Sequence, residues 1–273
     1  MRRWSLVAAL LLLAQAGTYR VHVAMNADIG QSVKVHQDAT ISQAVTLRDA
    51  AGKVKKTFTR DGHNLEEWTG LTLRRAGENA TYKRTWTRAE QEANGTRKFS
   101  PLQGLSVTFL VRGENVGMMA SNGAPISEEA RQNIEQLERS RLHAERNNLC
   151  VPLTPLAAGS TWTIAPEQAR DCFSELGVVT GPVTATGKLT AVEGGYATID
   201  FKFAMKLTTL GSLEFVSPAP LDGTMHVRTS LSDPLDWTST KTFHLVGTVR
   251  PPGQSESGTT DLHGTTTMRS GRG

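Results

Sequence analysis

The sequence predicts a mainly β (α+β) fold, built either as one curved antiparallel sheet or as two similar β lobes joined by one central helix. Three observations carry that prediction. Apolar and polar residues alternate with a period of two over many segments, most cleanly where Ala197, Ile199, Phe201, Phe203, Met205 and Leu207 share one parity. Only the stretch from Ser127 to Glu145 has the three- and four-residue spacing of a helix. Composition agrees: 38% hydrophobic and 6% aromatic residues, with many alternating Thr and Ser, suit sheets that keep one face in water.

Taken in order, the chain opens with Met1-Arg2-Arg3-Trp4, an apolar run over 6–13, and the small residues Ala14-Gln15-Ala16. That is the pattern of a cleaved signal peptide over 1–16. The run is shorter than the roughly 20 apolar residues that span a bilayer. The remaining chain is therefore expected to be periplasmic or secreted and not membrane-spanning. No Cys follows the small residues, so a lipid anchor there is not expected.

Over 18–60, Tyr19, Val21 and Val23, then Val45 and Leu47, read as short half-buried strands punctuated by Gly30 and Gly52. Ala50-Ala51-Gly52-Lys53 is read as a turn into a strand over 54–59, and Asp61-Gly62 as a second turn. Residues 63–68 suit a helical turn or a loop, either of which leaves Glu66 and Glu67 exposed. Further strands are expected over 71–74, 81–87 and 105–111, the last returning through 112–115 as a hairpin to 116–120.

Pro125 stops that strand, Ser127 is a good N-cap, and Glu128 and Glu129 place negative charge in the first helical turn. Ala130, Ile134 and Leu137 make a narrow apolar stripe. Glu128 with Arg131, Glu135 with Arg139, and Glu138 with Arg141 are expected to pair along the outside. Asn147-Asn148 ends the helix, the only one expected. Val151-Pro152-Leu153-Thr154-Pro155 is too rich in proline for a central strand and reads as an extended crossing. Strands resume at 159–164. They continue as a hairpin of 183–192 and 197–207 about Glu193-Gly194-Gly195, then 225–231 and 237–249 either side of Ser232-Asp233-Pro234. A loop over 251–258, a last strand over 259–268 and a disordered 270–273 complete the chain. The regions expected are 1–16, a signal peptide; 17–125, N-terminal β; 126–159, helix and crossing; 160–250, C-terminal β; and 251–273, loop, strand and flexible tail.

Function is less legible. The formal net charge is +4, and it is uneven, with 15 basic against 10 acidic residues over 17–125 and 9 against 11 over 151–273. A basic N-terminal half suits an anionic envelope component. Nucleic acid is not expected, because Lys53, Lys55, Lys56, Arg60, Arg74, Arg75, Lys83 and Arg84 lack stacking aromatics among them apart from Phe58 and Tyr82. Cys150 and Cys172, the only cysteines, are expected to form a disulfide in an exported chain. The seven histidines, His22, His36, His63, His143, His226, His244 and His263, show no metal-ligand spacing. Glu66 and Glu67 point to opposite sides of an extended chain and so do not make a glycosidase pair. Asn79-Ala80-Thr81 and Asn94-Gly95-Thr96 match glycosylation sequons. No nucleophile elbow, phosphate loop or dinucleotide fingerprint occurs. No catalytic, cofactor or metal residue is assigned.

The order of Gly17-Thr18-Tyr19-Arg20-Val21, the hairpin over 105–119, the helix at Ser127, and Pro152-Leu153 followed by Gly159-Ser160-Thr161-Trp162 resembles a family of bacterial exported proteins and lipoproteins of unknown function. The sequence departs from many of them in lacking the N-terminal lipid-attachment Cys. That resemblance implies no activity. The expected function is an exported, non-enzymatic binding or envelope-structural protein, holding an apolar ligand such as a lipid beneath the helix. The competing expectation is a hydrolase acting on an envelope polymer.

Overall fold

The structure, a computed structural model, describes residues 17–273 except 25, 49–52, 78, 114, 122, 124, 174–176, 211–212 and 250–256. The expected signal peptide, and most of the 50–53 turn and of the 251–258 loop, lie outside the described residues. So do the side chains of Leu137 and Arg139.

After a two-residue β1 (Thr18–Tyr19) come three long strands, β2 (Ser32–Arg48), β3 (Val54–Ala76) and β4 (Asn79–Ala93), then β5 (Thr96–Phe99), β6 (Ser106–Arg112) and β7 (Asn115–Ala120). Helix α1 (Glu128–Arg146) leads through a 3-10 turn, Asn148–Cys150, to β8 (Leu156–Ala157), β9 (Thr161–Ile164) and a second helix, α2 (Pro166–Phe173). The chain ends in β10 (Val178–Glu193), β11 (Tyr196–Leu210), β12 (Leu213–Ser230), β13 (Trp237–Val249) and β14 (Gly258–Arg272). These strands make one antiparallel sheet in the order β7-β6-β4-β3-β2-β14-β13-β12-β11-β10-β9, with β5 on β4 and a separate β1-β8 ladder. The fold is mainly β, and the last strand joins its two halves.

Each half has its own core on the inner face, the one the helices cover. Trp68, Trp86, Val107, Phe109 and Val35 meet Ala130 and Ile134 of α1. In the other half, Phe201, Phe203, Ile199, Leu189 and Leu245 meet Ala169, Cys172 and Phe173 of α2. Met268 of β14 packs against both cores. All six apolar residues of β11 singled out by their shared parity are buried.

Several local readings are corrected. Residues 63–68 are neither turn nor loop but the middle of β3, with both acids half-buried. Asp61-Gly62 is strand as well. The Asn94-Gly95 step is itself a hairpin turn, both residues at positive φ (51° and 75°), which sends β4 into β5. Helix α2 carries a Pro at its first position and buries Ala169, Cys172 and Phe173 at three- and four-residue spacing. Ser270 to Arg272 are not disordered, since they pair with β2, and the Gly273 N–H donates to the Ser32 carbonyl.

Two glycines let aromatic rings lie across neighbouring strands. One cross-strand row runs Ala185, Phe203, Gly223, Phe243, Gly264, Ile41, Gly62, Ala93. A Cβ on Gly223 would stand 2.2 Å from Phe203 Cζ, and one on Gly264 would stand 2.2 Å from Phe243 Cζ. Each ring lies over the neighbouring strand's bare backbone, which only glycine permits.

Candidate functional site

Residues 20–24 and 26–31 form a strap across both halves: Val21 and Val23 enter one core, Ala24 and Ala27 the other. A strap of this kind has backbone groups to satisfy away from water. Asn148 supplies them, accepting from the Val23 N–H at Oδ1 (2.9 Å) and donating from Nδ2 to the Val21 (2.9 Å) and Val151 (3.1 Å) carbonyls. The Ala24 N–H donates to the Pro234 carbonyl and Trp237 Nε1 to the Ala24 carbonyl. Asn148, Leu149 and Cys150 all hold positive φ (48°, 49° and 62°), a conformation that non-glycine residues avoid. The Cys150–Cys172 disulfide and a hydrogen bond from Trp162 Nε1 to the Cys150 carbonyl (3.0 Å) hold that turn.

Beside the strap, α1 meets the sheet through a charged knot. Ser127 caps the helix as expected, its Oγ accepting from the Ala130 N–H. The buried edge then runs Ala130, Ile134, Glu138. Glu138 does pair with Arg141, but inside rather than outside: it is 1% exposed and also contacts the guanidinium of Arg84, equally buried. Its other oxygen accepts from the Tyr82 hydroxyl at 2.6 Å. Arg84 stacks on Trp68 (3.9 Å), and Arg141 approaches the same ring (4.5 Å). Burial, then the Arg141 charge, pushes the Arg84 pKa well below its ordinary value, and burial raises that of Tyr82. The guanidinium stays charged, as arginine does in proteins.

Tyr82 also forms the inner wall of a partly enclosed cavity of about 340 Å³. Its apolar lining comes from Ala24, Ala80, Val111, Leu142 and Leu235. Two ion-paired clusters stand around it. Glu145 accepts from Asn26 Nδ2 (2.6 Å) and Arg75 Nη2 (2.9 Å); Arg272 donates to Asp233 (2.7 Å) and Gln31 (3.2 Å). Hydrogen bonding from Arg272 holds the Asp233 carboxyl below its usual range. The volume and the mixture of apolar wall with a few placed polar groups are those of a small-molecule site.

Glu66 and Glu67 do face opposite sides: Glu66 accepts from Trp86 Nε1, while Glu67 meets His36 on the outer face. Three further outer-face histidines, His63, His226 and His244, also meet carboxylates, and His263 joins His244 at Asp261. Along the glycine row the outer face carries a trough of about 650 Å³, lined among others by Lys202, Asp222, His244 and His263, with an adjoining hollow of about 390 Å³ that His263 shares. The basic residues divide, Arg84 sinking into the knot while Arg74 and Arg75 stay exposed. The Glu138–Arg141 pair follows from helical spacing, but Arg84 and Tyr82 reach it from β4, and the histidine cluster is assembled across two strands, so neither set of long-range partners could be read along the chain.

No helix among the described residues is long and apolar enough to cross a membrane. No protein-family model matches the chain, and no curated protein matches it. Among solved structures, the crystal structure of the outer membrane protein OprG from Pseudomonas aeruginosa is similar over 93% of this chain and 98% of that one, at 4% identity and a TM-score of 0.28. A likeness at that level bears on neither fold nor function.

Proposed function

We propose that this chain is an exported, non-enzymatic binding protein, periplasmic or secreted, whose ligand is a small amphiphile such as a single-chain lipid held between the strap, the end of α1 and the 233–235 turn. The cavity carries the reading. Its apolar wall takes an acyl or similar apolar group, and the polar cluster of Arg75, Glu145 and Asn26 meets a head group at its edge. A volume of about 340 Å³ suits one small ligand rather than a whole diacyl lipid. The signal-peptide pattern over 1–16 and the resemblance to bacterial exported proteins support the compartment. Of the three carboxylates that line the cavity, Asp28, Glu145 and Asp233, the last two are each engaged by an arginine, an arrangement that suits a wall better than a general base.

Native mass spectrometry of the chain purified from its own envelope, without detergent exchange, tests the proposal. An adduct of a few hundred daltons is expected, and it should disappear in A80F, which fills the cavity, while melting behaviour is retained. An adduct-free wild type, or an adduct that persists in A80F, refutes it.

A further inference from the structure

We infer that His244, Asp261 and His263 form a site for a divalent transition-metal ion on the outer face of the sheet. The register of β13 and β14 sets His244 directly opposite His263, and their rings stack with centroids 4.3 Å apart and planes 11° apart. Asp261, two residues before His263, shares that face. Its Oδ1 lies 2.9 Å from His244 Nε2 and 3.2 Å from His263 Nε2. One ligand atom from each of the three residues can be chosen so that all lie within 4.8 Å of one another. Nitrogen and oxygen ligands about 2.0–2.1 Å from a tetrahedral ion stand about 3.3 Å apart. Two of the three separations are thus already close to those of a coordination shell.

The donor set chooses the ion. Two imidazoles and one carboxylate are borderline ligands that favour Zn²⁺, Ni²⁺ or Cu²⁺ over the hard cations Mg²⁺ and Ca²⁺. Both histidines sit in strands laddered on each side, so the ligands ride on stiff backbone. Asp222 stands directly opposite His244 on its other flank and Ser42 opposite His263, so further oxygen donors continue the same row. The side chains are 47%, 52% and 64% exposed in the order His244, Asp261, His263, which leaves the ion open to solvent. Because both histidines line the trough, a three-ligand ion there keeps a coordination position for a ligand lying in it. His36, His63 and His226, by contrast, each meet one carboxylate in a two-member pair.

Zn²⁺ titrated calorimetrically into the untagged full chain, in a buffer that does not chelate, tests this. One equivalent should bind, H244Q and H263Q should each weaken it by more than about tenfold, and H226Q should leave it unchanged. With Cu²⁺ as the spectroscopic probe, nitrogen hyperfine coupling from two imidazoles should appear in wild type and from one in each single variant. The side chains are exposed, so the variants are expected to melt as wild type does. Absence of Zn²⁺ binding, or binding that survives in H244Q/H263Q, overturns the site and shows the cluster to be an ion pair between histidines and Asp261 only. The cavity proposal is untouched by either result.

Discussion

Arg84 and Glu138 are the side chains with most at stake, because each is a charge taken out of water and each contacts the other. Removing one partner of such a pair costs about 3–5 kcal/mol, whereas replacing both with apolar groups of similar size is often neutral or better. E138M is therefore expected to cost about 3–5 kcal/mol, since it takes away the carboxylate that the buried Arg84 contacts. R84M should cost less, because Arg141 and Tyr82 still hold the carboxylate. The double variant R84M/E138M should recover most of the loss; urea unfolding of the four proteins measures it, and additive losses would show that the pair is not coupled. The position of Glu138, four residues after Ile134, already put it on the buried edge of α1 in the sequence. Its charge argued for the outside, and the basic residue waiting on β4, 54 positions earlier, could not be seen. Asn148 is similar: as a helix-ending Asn it was legible, but its clamp on the strap joins residues more than 120 positions apart.

Strand elements were the more readable ones wherever a single face is buried. The β10–β11 hairpin, with Gly194 and Gly195 both at positive φ, matches its pattern closely, because alternation and turn chemistry agree there. In the N-terminal half they conflict. Asp61-Gly62 resembles a turn, yet β3 runs straight on through it, Gly62 pairing with Ile41 on one side and Ala93 on the other, so a glycine there does not mark an end. Helix α2 escaped notice because eight residues hold barely two apolar repeats, although Pro166 at its start was a signal. The glycine row makes a definite prediction. G264A drives a methyl into the Phe243 ring and should cost about 1–3 kcal/mol, the usual range for overpacking. Adding F243L should return part of that loss, read as a shift in the urea midpoint at constant slope; a G264A protein as stable as wild type would mean that the ring moves freely aside.

At the scale of the molecule, the sequence allowed two lobes or one curved sheet, and the described residues form two cores on one sheet. The undecided point was β14. Its pattern is legible, but its place between β2 and β13 is set by pairing with residues at the far end of the chain. A chain ending at Ser257, just before β14, should lose the join and expose the edges of β2 and β13. It is expected to bind a hydrophobic dye and to show no single cooperative melt by circular dichroism; a sharp, wild-type-like transition would mean that the halves hold together through the strap and helices alone. The same placement governs timing. Leu47 pairs with Gly258, more than two hundred positions later, so during synthesis the first long strand waits for a partner that is made after every other described strand. Contacts so remote form slowly, since the intervening chain must first be brought into a loop. Hairpins of neighbouring strands can form beforehand, but the two halves become one sheet only once β14 has been made.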